Sequence, residues 1–511
     1  MRTVRIVLSV LVWLAMLAAE AFVALRLWGL KVLPSKYELL IGLVLLLVWL
    51  LVGLLLLTGN KAKTGKHPGL GRRIIAWLLA AMVIGGCLYG AKAAGELDQT
   101  INKVTEETNV TSVVAVYVLR DDPAQTLQDA AEYTFGVTER YDTASVLTAL
   151  ADMRKTLGSV KTDKYDTVVD IVDALYRDDV DAIVLNEVYP SILGDMDSYA
   201  HFSEETRIIY EIPIDKGAAD RIPTEMPMPG DDDAQGSIES FQPVNVTQEP
   251  FVIYLSGSDT RSQMLTTSRS DVNILVVINP KSKQVLLLNT PRDYYVPNPA
   301  GGGALDKLTH CGIYGIGCSV GALSDLYSVP VNYFAQINFT GFETLIDAID
   351  GITVYSDYDF TAGGYSFVQG ENNLNGSEAL YFVRERYSFE SGDRQRGQNQ
   401  MKVISAVIRK LSMRTIILKH SKILDSLQGM FVTNMSSDEI SDLVKMQLSD
   451  GAEWNVKSFA VTGGDGREYT YSMPGMSAYV MYQDPALVDR ASELVRRVIK
   501  GDTLTDSDVA E

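Results

Sequence analysis

The sequence predicts an α/β protein held to a membrane by three N-terminal transmembrane helices. Three observations carry that prediction. Residues 1–94 hold three long apolar runs. Beyond them strand-like and helix-like runs alternate, the pattern of an α/β layer. A stretch rich in Pro, Gly, Asp and Ser then divides the remainder in two. At 511 residues the chain has room for several units, since soluble domains run about 100–200 residues each. The expected units are a membrane domain at 1–94, an accessory α/β domain at 95–214, a flexible linker at 215–249 and a second domain at 250–511. A formal charge of −19 argues against a nucleic-acid partner, which needs a basic face to neutralise phosphates. Three cysteines are too few for a disulfide framework.

The apolar runs lie at about 6–25, 39–57 and 74–91, each near the roughly 17–25 residues that cross a bilayer as a helix. Trp13, Trp28, Trp49 and Trp77 lie in or beside them, and those nearer the ends suit interfacial anchoring. Lys61, Lys63, Lys66, Arg72 and Arg73, with no acid among them, place the loop between the second and third spans in the cytoplasm. The first loop has only Lys31 and Lys36, and the amino terminus Arg2 and Arg5. The amino terminus is then inside, and everything beyond about residue 95 is outside the cell. Two further spans after the first argue against a cleaved signal peptide. Glu20 interrupts the first span; it either pairs with a neighbouring helix, is neutral, or has a function of its own.

In the accessory region, residues 113–119, 181–185 and 207–214 read as strands, and 126–133, 143–153 and 164–175 have helical apolar spacing. No phosphate loop, metal-ligand spacing or nucleophile signature appears there, so an accessory or spacer role is expected. Residues 216–249 lack apolar periodicity and include Pro-Met-Pro-Gly-Asp-Asp-Asp, the composition of a linker.

The chemistry gathers after residue 250. A strand at 251–255 runs into Ser256-Gly257-Ser258-Asp259, a small-residue loop. Asp271 precedes a second strand, 272–278, and 284–290 returns as a third, ending at Pro291-Arg292-Asp293. Asp259 and Asp271 on adjacent loops are of the type that binds a hard divalent cation, which takes one or two carboxylates beside water and phosphate oxygens. Aspartate is equally a standard turn residue, so the pair alone leaves both readings open. Further on, Ser377 is expected to cap a helix that leads to Arg384-Glu385-Arg386. Asp393 opens another, in which Asp393, Arg396 and Gln400 are spaced i, i+3, i+7 and share a face. An apolar stripe at 401–411 can dock that helix on a core. Arg269, Arg292, Arg384, Arg386, Arg394 and Arg396 could build a pocket for a polyanion, because the guanidinium fork binds phosphate bidentately. They could equally form solvated ion pairs on a helix surface.

At this point the residues resemble those of the LytR–CpsA–Psr family. The resemblance rests on Ser256-Gly257-Ser258-Asp259, Ser270-Asp271-Val272-Asn273-Ile274-Leu275 and Thr290-Pro291-Arg292-Asp293. It continues through Asp306-Lys307-Leu308-Thr309-His310, Asn338-Phe339-Thr340-Gly341-Phe342 and Asp350-Gly351-Ile352-Thr353-Val354. It ends on Leu380-Tyr381-Phe382-Val383-Arg384-Glu385-Arg386 with Asp393, Arg396 and Gln400. Three spans and an accessory unit look most like the streptococcal capsule-type members. The resemblance implies a mixed α/β/α sandwich with an apolar cavity for a prenyl chain; 333–339 and 342–349 are candidate linings, and core packing accounts for both runs equally well. It implies a phosphotransferase that moves a glycopolymer, capsular polysaccharide or teichoic-acid-like, from a polyprenyl-pyrophosphate carrier onto peptidoglycan. Carried over by position, Asp259 and Asp271 would hold Mg2+, or Mn2+ in its place. Arg292, Arg384, Arg386 and Arg396 would grip the pyrophosphate, with Arg269, Lys307 and Gln400 in support. Asp393 would orient the arginines or assist proton transfer. Two other readings compete: hydrolysis of the lipid-linked glycan by the same pocket, and a non-catalytic membrane regulator of polysaccharide export and chain length. Expected partners are the lipid-linked glycan, peptidoglycan, the membrane, and polysaccharide export or assembly proteins.

The sequence departs from the family at two places. Asp350-Gly351 stands where many members have Gly-Gly, and Gly397-Gln398-Asn399-Gln400 where others commonly show an Arg-Gln-Gln run. The first change is harmless if the turn is kept. Cys311 and Cys318 could form a disulfide outside the cell, where geometry decides. His310 is expected to be structural, because no second His or Cys sits at ligand spacing. Cys87 shows no evident chemistry.

Overall fold

The computed structural model describes residues 2–29, 33–57, 70–105, 111–139, 142–194, 196–215, 240–258, 268–410 and 430–510. Asp259, the linker residues 216–239 and the loop bearing Lys61, Lys63 and Lys66 lie outside them. The chain divides into two compact units, residues 1–106 with 413–425 and 436–453, and the rest.

The first unit contains α1 (Arg2–Gly29), α2 (Ser35–Leu57) and α3 (Leu70–Thr105). All three are long and apolar enough to cross a membrane, over Val7–Gly29, Ser35–Leu56 and Ile74–Gly95. They extend past the expected 25 and 91 because Arg26 and Lys92 are good helix formers and no glycine cap or proline stops the chain. Trp13 and Trp49 lock α1 to α2. Their rings stack at 4.2 Å, and each indole N–H donates to the other's backbone carbonyl, at 3.0 and 3.3 Å. In lipid such donors must be satisfied within the protein. Gly53 makes the stack fit, since a Cβ there would stand 2.5 Å from the Trp13 indole nitrogen. Glu20 is buried in the bundle, and its Oε1 has no hydrogen-bond partner among the described residues. The helix Ser437–Asp450 also belongs to this unit, with Leu448 and Val444 packed near Ala94.

The second unit is built on two sheets. The first runs β3-β2-β4-β1-β5, from β1 (Thr111–Leu119), β2 (Thr134–Thr138), β3 (Lys161–Tyr165), β4 (Ala182–Asn186) and β5 (Thr206–Asp215). Val114, Val116 and Val118 face α4 (Thr143–Leu157), while Ala115 and Tyr117 face α5 (Val168–Tyr176). This period-2 alternation gives each face its own core. Two expectations need correction. Residues 126–132 are turns rather than a helix. Leu127 and Ala130 are buried, which produced the helical spacing, but Asp129 accepts from Gln125 N, Thr126 N and Thr126 Oγ1 and holds the backbone in a local turn. The expected helix at 164–175 begins only at Val168, capped by Thr167 and Asp170, because 161–165 pairs with β2 as a polar edge strand.

The second sheet runs β10-β9-β6-β7-β8-β11, where β6 is Phe251–Ser258, β7 Ser270–Asn279, β8 Gln284–Asn289, β9 Tyr333–Asn338, β10 Phe431–Thr433 and β11 Asn455–Ala460. On one face Tyr254, Leu275, Val277 and Leu288 pack with α6 (Ile316–Tyr327) and α10 (Pro485–Lys500). On the other, Ile274, Val276 and Leu287 meet Met401, Ile404 and Ile408 of α9 (Asp393–Lys410). The result is the expected α/β/α sandwich. Fully burying each such side chain is worth about 1.5–3 kcal/mol. α7 (Phe339–Ala348) packs on α8 (Gly376–Arg384), and α8 packs on α9.

Several details refine the sequence reading. Residues 240–249 are laid against the sheet: Phe241 N donates to Val331 O at 2.7 Å, and Asn332 to Gln242 O at 3.0 Å. The cap of α8 is Asn375, in a capping box with Glu378, not Ser377. Asp350 and Gly351 have φ of 59° and 70°, so both positions are left-handed. That favours Gly-Gly, and Asp tolerates it better than most side chains. Cys311 and Cys318 are buried free thiols.

Candidate active site

The site forms where β7, the loop after β8, α8 and the start of α9 meet. Asp271 is aimed by a β-bulge. Along β6 and β7, Gly257 pairs with Val272 and Ser258 with Ser270, so Asp271 is the extra residue on its strand. Bulges of this kind re-aim a side chain. Gly257 permits the close pairing, since a Cβ there would meet Val272 Cγ2 at 2.7 Å. Behind the bulge, Ser270 Oγ lies 2.7 Å from Ser256 Oγ and 2.9 Å from Tyr254 OH, which donates to Asn273 Oδ1 at 2.6 Å. These buried hydroxyls fix the strand ends that flank Arg269 and Asp271.

Arg292 Nη1 donates to Asp271 Oδ1 at 2.9 Å, and its Nε lies 3.5 Å from Asp293 Oδ2. Lys307 Nζ reaches the other oxygen of Asp293 at 3.1 Å. Arg396 pairs with Asp393 one helical turn away. Burial by itself would raise the Asp271 carboxyl, but the Arg292, Arg269 and Arg396 guanidiniums hold it well below the usual carboxylate range. Asp293 is also raised by burial and lowered further by Arg292 and Lys307. Burial pulls Arg396 below its ordinary value, against the opposing pull of Asp393.

Asp271, Arg292 and Arg396 line a cleft of about 380 Å³. Five guanidiniums face it, from Arg269, Arg292, Arg384, Arg386 and Arg396, against the two carboxylates of Asp271 and Glu385. Gln400 also lines it and donates weakly to Val383 O at 3.5 Å. Val272, Phe339, Tyr381 and Val383 add an apolar wall. Arg384 sits 4.4 Å over the Phe339 ring, and Arg386 donates to Tyr387 OH at 2.6 Å. Thus the structure brings together Arg269, Asp271, Arg292, Arg384, Arg386, Arg396 and Gln400. Lys307 joins through Asp293, and Asp393 through Arg396. Arg394 points elsewhere, donating to Gly463 O.

Of the apolar runs considered as prenyl linings, Phe339 reaches the cleft wall, whereas Tyr333 and Phe334 are buried core. Sequence reasoning missed Asp293 as a member of the cluster, although it stands in Pro-Arg-Asp. It also missed Tyr387, for which adjacency to Arg386 was the available signal. Cys311 and Cys318 lie in the core below this region, and His310 bonds Asp306 at 2.7 Å, a structural role.

A metal ion can be weighed against these residues. Asp271 supplies an ionised carboxylate on the cleft wall. Among the described residues no group of three or more His, Cys, Asp or Glu converges. One ionised carboxylate is compatible with a cation that takes one or two protein carboxylates and fills its shell with water and phosphate oxygens, as Mg2+ does.

Residues 227–486 match the model of the LytR_cpsA_psr family. The polyisoprenyl-teichoic acid–peptidoglycan teichoic acid transferase TagU of Bacillus mycoides (strain KBAB4) is 32% identical over 227 residues, 44% of this chain and 74% of that protein. TagU of Bacillus cereus (strain ATCC 14579) is 33% identical over 221 residues, 43% of this chain and 70% of that protein. The crystal structure of B. subtilis TagV is 24% identical with a TM-score of 0.42, the match spanning 50% of this chain and 99% of that one. With the family model spanning more than half of its residues, and a relative matched over 74% of that relative's length, this chain belongs to the LytR–CpsA–Psr family.

Proposed function

We propose that this protein transfers a glycopolymer from a polyprenyl-pyrophosphate carrier onto peptidoglycan. The observation that carries the reading is the cleft: five guanidiniums against two carboxylates, beside an apolar wall. That combination suits a pyrophosphate joined to a prenyl chain. Transferase relatives of the same family support the same reaction class.

In this reading a sugar hydroxyl of peptidoglycan attacks the glycan-side phosphorus. A new P–O bond forms, the bridging P–O bond breaks, and polyprenyl phosphate leaves. Such reactions are catalysed mainly by positioning and charge neutralisation. Arg292, held between Asp271 and Asp293, presents a fixed guanidinium to the phosphates. Arg384, Arg386 and Arg396 spread over the remaining oxygens. Asp393 orients Arg396 and takes the hydroxyl proton. Mg2+, or Mn2+, would be held by Asp271 together with Asp259, and would supply further neutralisation of the pyrophosphate.

The basic loop at 58–73 puts the amino terminus in the cytoplasm and residues beyond 95 outside the cell, where peptidoglycan is. Impermeant maleimide applied to intact cells should label a cysteine introduced at Ser240, and one at Lys63 only after permeabilisation. The reverse pattern would overturn the orientation.

The test of function uses the full chain in detergent micelles with labelled polyprenyl-pyrophosphate glycan, Mg2+ and peptidoglycan. Label should enter peptidoglycan with the wild type and not with Arg292→Ala. Label released only as free glycan phosphate would replace transfer by hydrolysis. Donor binding without turnover would make the protein a regulator.

A further inference from the structure

Transfer needs a second substrate, and one surface beside the cleft has the chemistry for it. Strands β12 (Gly463–Thr470) and β13 (Met473–Gln483) form a two-stranded ribbon that joins neither large sheet. Its base is tied to the catalytic cluster. Met481 N donates to Asp293 O at 2.8 Å, and Arg394, the neighbour of Asp393, donates to Gly463 O at 2.8 Å.

The ribbon exposes three tyrosines: Tyr469 at 63%, Tyr479 at 37% and Tyr482 at 40%. The pairing register places Asp465, Arg467, Tyr469 and Tyr479 on one face. There Tyr479 OH donates to Asp465 Oδ1 at 2.7 Å. On the other face Tyr482 OH donates to Glu468 Oε1 at 2.5 Å, and its ring lies across Gly466, where a Cβ would clash with it. Tyr479 and Tyr482 are therefore held in place before any ligand arrives. Rigid tyrosines give large contact area at low entropic cost. Sugar rings stack their C–H faces on such rings, and sugar hydroxyls and N-acetyl amides bond to the neighbouring carboxylates.

We propose that the face formed by Tyr469, Tyr479 and Asp465 is the acceptor subsite, holding the sugar strand of peptidoglycan so that a hydroxyl reaches the cleft beside Asp393. This rests on the transferase reading. Charge selects the occupant. The donor's phosphates are drawn to the five guanidiniums of the cleft. The ribbon carries Asp465 and Glu468, with Asp293 and Asp393 close enough to act on Tyr479, and its Arg467 is engaged by Ser477 O at 2.9 Å. On the face itself Asp465 is offset by Arg467, so there is no net positive charge to draw a phosphate-bearing chain, and an uncharged sugar backbone needs none.

The experiment is co-sedimentation of the full-length protein with purified peptidoglycan stripped of other polymers. The wild type and Arg292→Ala should sediment. Tyr469→Ala/Tyr479→Ala, with an unchanged melting profile, should bind about tenfold more weakly. Tyr479→Phe keeps the ring and should bind nearly as the wild type. In the transfer assay the double variant should raise the acceptor KM about tenfold and leave the donor KM unchanged. Unaltered sedimentation by the double variant, or no sedimentation by the wild type, overturns the proposal. A raised donor KM instead assigns the ribbon to the donor glycan and also overturns it. Sedimentation that depends on the tyrosines, without any transfer by the wild type, is failure of the transferase reading alone.

Discussion

Arg292, in the loop after β8, meets Asp271 of neighbouring β7, guanidinium Nη1 2.9 Å from carboxylate Oδ1, with Arg292 also bound to Asp293. One planar cation thus serves two buried carboxylates. Removing it takes the bonded guanidinium from Asp271 and leaves Asp293 with Lys307, and breaking a buried pair typically costs about 3–5 kcal/mol. Arg292→Ala should lower the melting temperature and reduce transfer by about 100-fold or more. Arg292→Lys keeps the charge but has no fork to hold Asp271 and Asp293 together, so it should recover stability better than activity. Thermal melts and transfer rates on the same preparations decide this. Full activity in the lysine variant would show that charge alone suffices.

Asp306 is the most heavily bonded buried carboxylate in the same region. It accepts from His310 Nδ1 at 2.7 Å, Asn298 Nδ2 at 3.0 Å, Ser472 N at 3.2 Å and Lys307 N at 2.8 Å. Burial opposes its charge, but His310 and these bonds win and hold its carboxyl below the ordinary value. A carboxyl whose folded value is depressed adds stability above its unfolded value, near 4, and loses it as pH falls toward the folded one. Asp306→Asn should therefore cost about 1–3 kcal/mol at neutral pH and flatten the loss of stability below about pH 4. Melting temperature against pH for both proteins is the measurement. Parallel acid limbs would remove Asp306 from the account.

The arginines were legible because they stand out in an acidic chain and sit in ordered motifs. Their convergence was not, since Arg269 and Arg396 are far apart in sequence and only the sandwich joins them. Asp271 could be named but not oriented. A period-2 reading of 270–279 gives an unbroken strand, and the bulge that aims Asp271 appears only in the pairing with Gly257 and Ser258. Lys161–Tyr165 escaped notice because an edge strand with polar residues has no apolar alternation. The tyrosine ribbon escaped for a related reason: Gly463–Thr470 is rich in glycine and charge and buries little. The three membrane helices were the easiest elements, because composition alone decides them.

Gly397 offers a test of how α9 is seated. A Cβ at this position would stand 2.3 Å from Asn289 Nδ2, so the helix lies directly on the end of β8. Gly397→Ala must push the helix or Asn289 aside, at a cost of about 1–3 kcal/mol. The helix carries Asp393, Arg396 and Gln400, so the displacement should be felt more in turnover than in stability. A shift of about 1 Å can cost roughly 100-fold in rate. The expected result is a kcat at least about tenfold lower with donor binding largely kept. An unaltered kcat would mean that Asn289 swings away and the helix stays.

Metal removal separates the two sources of positive charge in the cleft. The guanidiniums remain when a chelator is added, and the charge facing Asp271 does not, if a divalent cation is held there. Transfer by the wild type should stop with EDTA and return with Mg2+ or Mn2+. Asp271→Asn should need about tenfold or more extra Mg2+ for half-maximal rate, because one of the few protein ligands such an ion takes is lost. Arg384→Ala should lower the rate without changing the Mg2+ requirement, since Arg384 stacks on Phe339 while Asp271 is paired with Arg292. Full activity in EDTA would leave the arginines as the only neutralising groups. Asp271 would then act by holding Arg292 in place, and Asp271→Asn would lower the rate by the same factor at every Mg2+ concentration.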